Sequence, residues 1–276
     1  MRAWANRWTL HLFSYDDWEL LINARQNEQL PHSYFLGKKS DGLTAVKLIT
    51  EALKTQKSLS KSEVEGLILS QIPNFNLKSY LIYAVLQTLI QQGICYFDAS
   101  NPSQNYRLVF AEHFSRIPAE QAIEQLIFRY LTGFAPAQLE DFVKWSGLKI
   151  SSVRKIWQNM DLSQFDKMSK FDFEQVSDKT IIAARFDSLL TGYVDKTWLT
   201  PADKIDFMWT KNGFLLAPII YNGSLVGRWS HKISGQKINF LIEYWGQLNK
   251  SQLEEKLTEV AQFLEKTPGD IKYESL

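Results

Sequence analysis

Only one cysteine, Cys95, occurs among the 276 residues of this chain. A single thiol forms neither an internal disulfide nor a cysteine-based zinc site, and it suits a reducing compartment. No apolar run approaches the roughly 18 residues of a membrane span, and the N-terminus lacks the uninterrupted apolar core of a signal peptide. A cytoplasmic protein without membrane contact is expected. The histidines, His11, His32, His113 and His231, have no metal-ligand spacing, no P-loop occurs, and "GSLVG" is too sparse in glycine for a dinucleotide fingerprint. Neither a metal nor a cofactor is therefore expected.

Strong charge of either sign is also missing. The formal net charge is +1, so the whole molecule is not a polycation and any attraction to an anionic partner must be local. Two stretches supply it. Lys38, Lys39, Lys47, Lys54, Lys57 and Lys61 face only Asp41 and Glu51 in the same segment, and Lys144, Lys149, Arg154 and Lys155 occur with no acid between them. Each stretch is read either as a binding surface or as a solvated helix face. Aromatic residues, in contrast, are plentiful at 13%, with nine tryptophans that need cores or stacking surfaces; Trp145, Trp157 and Trp229 are expected in cores.

The pattern along the chain gives an α+β protein. Trp8, Leu10 and Leu12 alternate with Arg7, Thr9 and His11 as in a strand, and a helix follows from about Tyr15. Leu43 to Thr55 carries a helical apolar stripe. Ser60 with Glu63 three residues later is a capping box for a second helix that ends near Pro73. "NLKSYLIYAVLQTLIQQG" makes a third, stopped by Gly93, and "ICYFDASNPSQNYRLVF" makes two short strands around a turn. Three helices and a hairpin in this order make a winged helix-turn-helix, whose third helix can enter a major groove of duplex DNA. A looser second copy follows: Glu120 to Leu131, a helix from Pro136 to Gly147, and a third opening with Ser151 or Ser152 near its cap, with strands expected around "FEQVSDKTIIAARF". Beyond Thr180 the texture is β-rich, a small barrel or curled sheet with a tight turn at Asn222–Gly223, and one amphipathic helix over "SQLEEKLTEVAQFLEKT" closes the chain. The expected organisation is thus tandem winged helix-turn-helix modules at 14–116 and 117–178, then a β-barrel-like domain with a C-terminal helix at 179–276. Residues 1–13 are expected to be the remnant strand of a further module.

The third helices carry the candidate DNA contacts: Lys78, Ser79 and Tyr83 on the first, and Lys149, Ser151, Ser152, Arg154 and Lys155 on the second. Their cations would neutralise phosphates and their hydroxyls would position the helix, giving affinity more than base reading. Winged helices also serve protein contacts, so the same residues fit a scaffold. Arg228, His231 and Lys232 gather at "GRWSHK", which fits either a backbone contact or a solvated turn.

Four segments, "RWTLHLFSYDDWELL", "YLTGFAPAQLEDFVKWSGL", "ARFDSLLTGYVDK" and "NGFLLAPIIYNGSLVGRW", occur in this order, and together they resemble the winged-helix DNA glycosylase family of the AlkZ and YcaQ type over about Arg7 to Leu264. The resemblance implies tandem winged helices and a β-barrel around duplex DNA, and hydrolysis of the N-glycosidic bond of alkylated or crosslinked purines. It implies that His11 faces the DNA side of the catalytic cleft, where it would hold a phosphate or a displaced nucleotide, or make a structural hydrogen bond. The family's catalytic signature, Gln, an apolar residue, then Gln or Asp, lies in an N-terminal module that would precede "RWTLHLF"; no residue of this chain occupies that position. Gln164, Phe165 and Asp166 spell the signature in a different place. Trp8 stands where the family has Gly, which suggests altered packing over a surface that the further module would cover. Two other readings stay open: a non-catalytic regulator that binds a partner protein or a second copy at the N-terminal strand edge, and an enzyme using His11 or Asp187.

Overall fold

The computed structural model describes residues 1–276 apart from 38–39, 102, 167–177 and 212. Its helices and two five-stranded sheets fall into two units, Met1–Phe165 and Asp166–Leu276.

In the first unit, β1 (Arg2–Trp4) and β2 (Leu10–Leu12) form an antiparallel hairpin in which Ala3 faces His11. The residues between them do not continue a strand, as the alternation had suggested. Asn6–Trp8 is a 3₁₀ turn, with Arg7 at φ 52° and Trp8 at φ 54°, because the chain must reverse within four residues of β1. Helix α1 (Tyr15–Ala24) starts at Ser14, whose hydroxyl accepts from the Asp17 N–H, with Asp16 and Asp17 in the first turn where carboxylates suit the helix dipole.

After α2 (Ser33–Gly37) come α3 (Ser40–Gln56), β3 (Ser58–Ser60), α4 (Lys61–Gln71), α5 (Tyr80–Gln91), β4 (Cys95–Phe97) and β5 (Arg107–Phe110). The capping box forms as expected: Ser60 accepts from Glu63 N–H while the Glu63 carboxylate accepts from Ser60 N–H. Gly93 at φ 71° ends the α5 region. Ala45, Ile49 and Leu53 of α3 and Val85 and Leu89 of α5 are fully buried against Leu59, Cys95 and Leu108 of the strands. Burial raises the Cys95 thiol pKa strongly, so this cysteine stays an inert core residue. The sheet order is β2-β1-β4-β5-β3, with Arg2 paired to Phe97. The opening strand therefore has its partner inside this chain, and β2 is the edge.

Helices α6 (Ala119–Phe134), α7 (Leu139–Ser146), α8 (Ile150–Asn159) and α9 (Ser163–Asp166) complete the unit. Helix α7 begins three residues after Pro136, not at it, since the Asp141 carboxylate accepts from the Gln138 N–H and fixes the start there. Its end is at Gly147, φ 70°. The cap of α8 is Lys149, so Ser151 and Ser152 lie inside its first turn. Ile123, Leu126, Ile127 and Tyr130 of α6 pack with Leu20, Leu21 and Ala24 of α1, and Phe142 and Val153 close this core.

The second unit holds β6 (Thr180–Ile182), α10 (Ser188–Thr191), α11 (Ile205–Met208), β7 (Ala217–Tyr221), β8 (Ser224–Ser234), β9 (Lys237–Tyr244), α12 (Lys250–Phe263) and β10 (Thr267–Ser275). Of the strands expected after the second helical group, residues 173–177 lie outside the described ones, and β6 belongs to this second sheet, paired with β7. The tight turn at Asn222–Gly223 joins β7 to β8. Gly227 is not a break but lies within β8, where an added Cβ would come 2.7 Å from the Glu243 carbonyl oxygen. The amphipathic helix is not the last element: β10 follows it and runs parallel to β9, because Ile271 and Tyr273 continue the sheet's apolar face. The order β10-β9-β8-β7-β6 is that of an open sheet. Leu253, Leu257 and Ala261 of α12 cover one face against Ile219, Ile238 and Ile242; each fully buried leucine contributes about 1.5–3 kcal/mol.

Candidate nucleic-acid interface

Helix α8 presents the predicted residues most openly. Lys149, Ser151, Ser152, Arg154 and Lys155 are all exposed, while Val153 between them is buried and anchors the helix. The helix contains no acid, and among the described residues no carboxylate forms an ion pair with its cations. Lys149 and Ser152 also line a shallow pocket of about 170 Å³ beside Asn27 and Glu28. Solvated, unpaired cations next to hydroxyls on one short helix suit phosphate contact.

The first predicted helix is arranged differently. Lys78 and Ser79 precede α5 rather than lie on it, because the Ser79 side chain is the cap, accepting from Leu81 N–H and donating to the Asn76 carbonyl. That hydroxyl is already used. Tyr83 lies on α5, exposed, in contact with Trp4 at 6.2 Å between ring centroids. Lys78 and Tyr83 share the wall of a cavity of about 630 Å³ with residues the sequence did not single out as contacts: Arg2, Trp4, Lys61, Phe97 and Tyr106. Arg2 and Trp4 arrive there only because β1 pairs with β4, and no local pattern announces that pairing.

His11 is half-buried on β2. Its Nε2 lies 2.6 Å from the Thr9 hydroxyl, which in turn is 2.9 Å from the Asn6 carbonyl oxygen. Thr9 has one hydroxyl proton, and with it donated to Asn6 the His11 Nε2–H donates to Thr9, leaving Nδ1 as the acceptor. Burial, with Arg7 and Arg25 nearby, lowers the His11 pKa, only partly opposed by the Asn6 carbonyl. A neutral imidazole in a structural hydrogen-bond chain is the result. Trp8 is likewise built in. Its Nε1–H donates to Glu28 at 3.0 Å, and its ring lies by the guanidinium of Arg25, which is 1% exposed, pairs with Glu28 at 2.5 Å and donates to the Ser146 carbonyl. Trp8 thus ties the turn to the buried Arg25–Glu28 pair; it does not lie open.

In the second unit, "GRWSHK" is part of strand β8, not a turn. Strand alternation sends Arg228 and Lys232 to one side and His231 to the other. Arg228 is committed: Nε and Nη2 grip the Glu243 carboxylate at 2.8 and 2.6 Å, and Nη1 donates to the Phe207 carbonyl. It is not available to a phosphate. His231 stacks near Trp229 and is exposed, as is Lys232. Asp187 caps α10, accepting from Leu189 N–H, and is occupied as a structural residue. The Gln164–Phe165–Asp166 triplet puts Phe165 in the core against Phe128, with Gln164 exposed, in no cavity. Among the described residues no group of three or more His, Cys, Asp or Glu could hold a metal, and no helix is long and apolar enough to cross a membrane.

Comparison with known proteins accords with this geometry. No curated protein sequence matches the chain. Among solved structures, the chain is similar to the DNA glycosylase AlkZ of Streptomyces sahachiroi, with a TM-score of 0.73 at 16% identity, covering 99% of this chain and 81% of that one. At that identity the likeness speaks for the fold. The family model described as "DNA glycosylase AlkZ-like" matches residues 1–263, nearly the whole of both units, and the chain therefore belongs to the AlkZ-like DNA glycosylase family.

Proposed function

We propose that this chain binds duplex DNA in the repair of alkylated or crosslinked bases, with α8 as its main phosphate-contacting element. The observation that carries the reading is the set of exposed, unopposed cations and hydroxyls on α8 in a chain of this family. The order α3, β3, α4, α5, β4, β5 with its three-stranded ladder supports a winged helix at 14–116, and α6, α7 and α8 support a second helix-turn-helix group at 117–178. The chain binds without excising a base by itself: its one Gln–apolar–Gln/Asp triplet is anchored by a core phenylalanine outside any cavity, and His11 and Asp187 are taken up by structural hydrogen bonds.

Neutralising Z phosphates gives log K a slope of about −0.9Z against log salt, so three α8 cations predict a slope near −2.7, and each lysine or arginine replaced by alanine reduces it by about one. A titration of a fluorescent duplex at several salt concentrations reads this. Absence of salt-sensitive binding at micromolar protein would refute the reading. One observation favours a second: on the edge strand β2, Leu10 is 39% and Leu12 73% exposed. A non-catalytic regulator that pairs this edge with a partner protein or second copy fits them. A strict monomer at high concentration, with no dimer formed, weighs against self-pairing.

A further inference from the structure

The cavity between β1, β4 and α5 has a chemistry that phosphate contact from the surface of a helix does not explain. At about 630 Å³ it falls within the roughly 300–1,000 Å³ range of small-molecule sites. Three cations line it, Arg2, Lys61 and Lys78, against the single carboxylate of Glu65, which lies 3.9 Å from Lys61. Lys61 also donates to the Gln104 carbonyl, so the free positive charge is concentrated on Arg2 and Lys78.

Arg2 is the unusual member. Its Nε and Nη2 are sealed from solvent and have no hydrogen-bond partner, while its guanidinium lies 6.0 Å from the Phe97 ring centroid. These two nitrogens form the side of the fork that takes a bidentate oxyanion, the same side with which Arg228 grips Glu243 elsewhere in this chain. A buried charged donor left unpaired is costly, and the cost is relieved when an oxyanion enters and the long side chain swings toward it. The rest of the wall is aromatic. Trp4 meets Phe97 edge-on at 5.1 Å, Phe97 meets Tyr106 at 5.4 Å, and Tyr83 stands beside Trp4 at the opening. Rings in this number suit a planar, π-faced group.

We propose that this cavity is a binding site for a nucleotide, a phosphate joined to a planar base, with Arg2 and Lys78 on the phosphate and the Trp4, Tyr83 and Phe97 rings against the base. A net lining charge of +2, from three cations and one carboxylate, matches a dianionic phosphate better than a carboxylate ligand. The ligand source is either a free mononucleotide or the phosphorylated end of a DNA strand. The inference rests on the cavity alone and is independent of duplex binding through α8.

The test titrates the full chain with dAMP, deoxyadenosine and inorganic phosphate, followed by tryptophan fluorescence and calorimetry. The expected result is one-site binding of dAMP, at least tenfold weaker binding of deoxyadenosine and of phosphate alone, and a tenfold or greater loss for dAMP in Arg2→Gln and in the exposed-site variant Lys78→Ala. A 5′-phosphorylated single strand that competes with dAMP identifies a strand end as the source; one that does not compete identifies the free nucleotide. No dAMP binding at millimolar concentration overturns the proposal, as does binding that neither variant changes. Arg2→Gln and Lys78→Ala are also compared with the parent chain by thermal melting, and a loss of dAMP binding counts for the site only at an unchanged melting temperature; equal affinity for dAMP and deoxyadenosine counts against it.

Discussion

Replacing Glu28 by alanine tests how the N-terminal hairpin is held. Arg25 is 1% exposed, and burial lowers its pKa while Glu28 opposes that shift. Glu28 is the only carboxylate paired with it among the described residues, and it also accepts the Trp8 Nε1–H. Gln91 fastens the same segment through the carbonyls of Arg25 and Glu28. Removing one partner of a buried ion pair costs about 3–5 kcal/mol, because the remaining charge is left in a poor solvent. Glu28 retains 17% side-chain exposure, so water reaching the vacated site brings the expected loss to the lower end, about 3 kcal/mol. Hydrogen exchange of the α1 amides reads this loss directly: where they exchange through opening of the unit, about 3 kcal/mol is a roughly hundredfold acceleration. The double variant Arg25→Met, Glu28→Ala should recover part of it, since no unpaired charge remains. A change of less than about threefold in Glu28→Ala, or a double variant worse than the single, would show that the pair does not hold the hairpin.

Two further outcomes follow from local chemistry. The His11 pKa lies below its ordinary value of 6.5, mainly through burial, so the unfolded chain binds its proton more readily; the His11 contribution is fully present above pH 6.5 and is lost as pH falls toward the folded value. His11→Gln should flatten the pH dependence of the melting temperature just below pH 6.5, and an unchanged profile would contradict the assignment. Gly147 sits at φ 70° beside Arg7, where an added Cβ would overlap the Arg7 Cγ; Gly147→Ala should cost at least the roughly 1–2 kcal/mol of a left-handed L-residue, read as faster exchange at α7 and a lower melting temperature.

The candidate interface was legible where exposure follows from sequence alone. Helix α8 shows its cations because Val153 and Ile156 fix which side is buried, and amphipathic spacing predicts that. Arg228 and Asp187 were misread because their partners, Glu243 and the Leu189 N–H, are set by strand register and by a short helix start. Arg2 passed unnoticed for the same reason: a lone arginine near a terminus carries no signal until its strand finds β4.

Caps and stops were decided by the sequence itself. Ser60 with Glu63, Gly93 and Gly147 set helix ends through bonds and dihedral preferences that span only a few residues, so the local pattern suffices. The tertiary structure alone decided that the opening hairpin joins the β4–β5 ladder, that β10 follows α12 as a parallel strand, and that Trp8 closes over a buried ion pair. Each of these joins residues far apart in the chain, and such pairings depend on what the rest of the molecule leaves unsatisfied, which no short window of sequence contains.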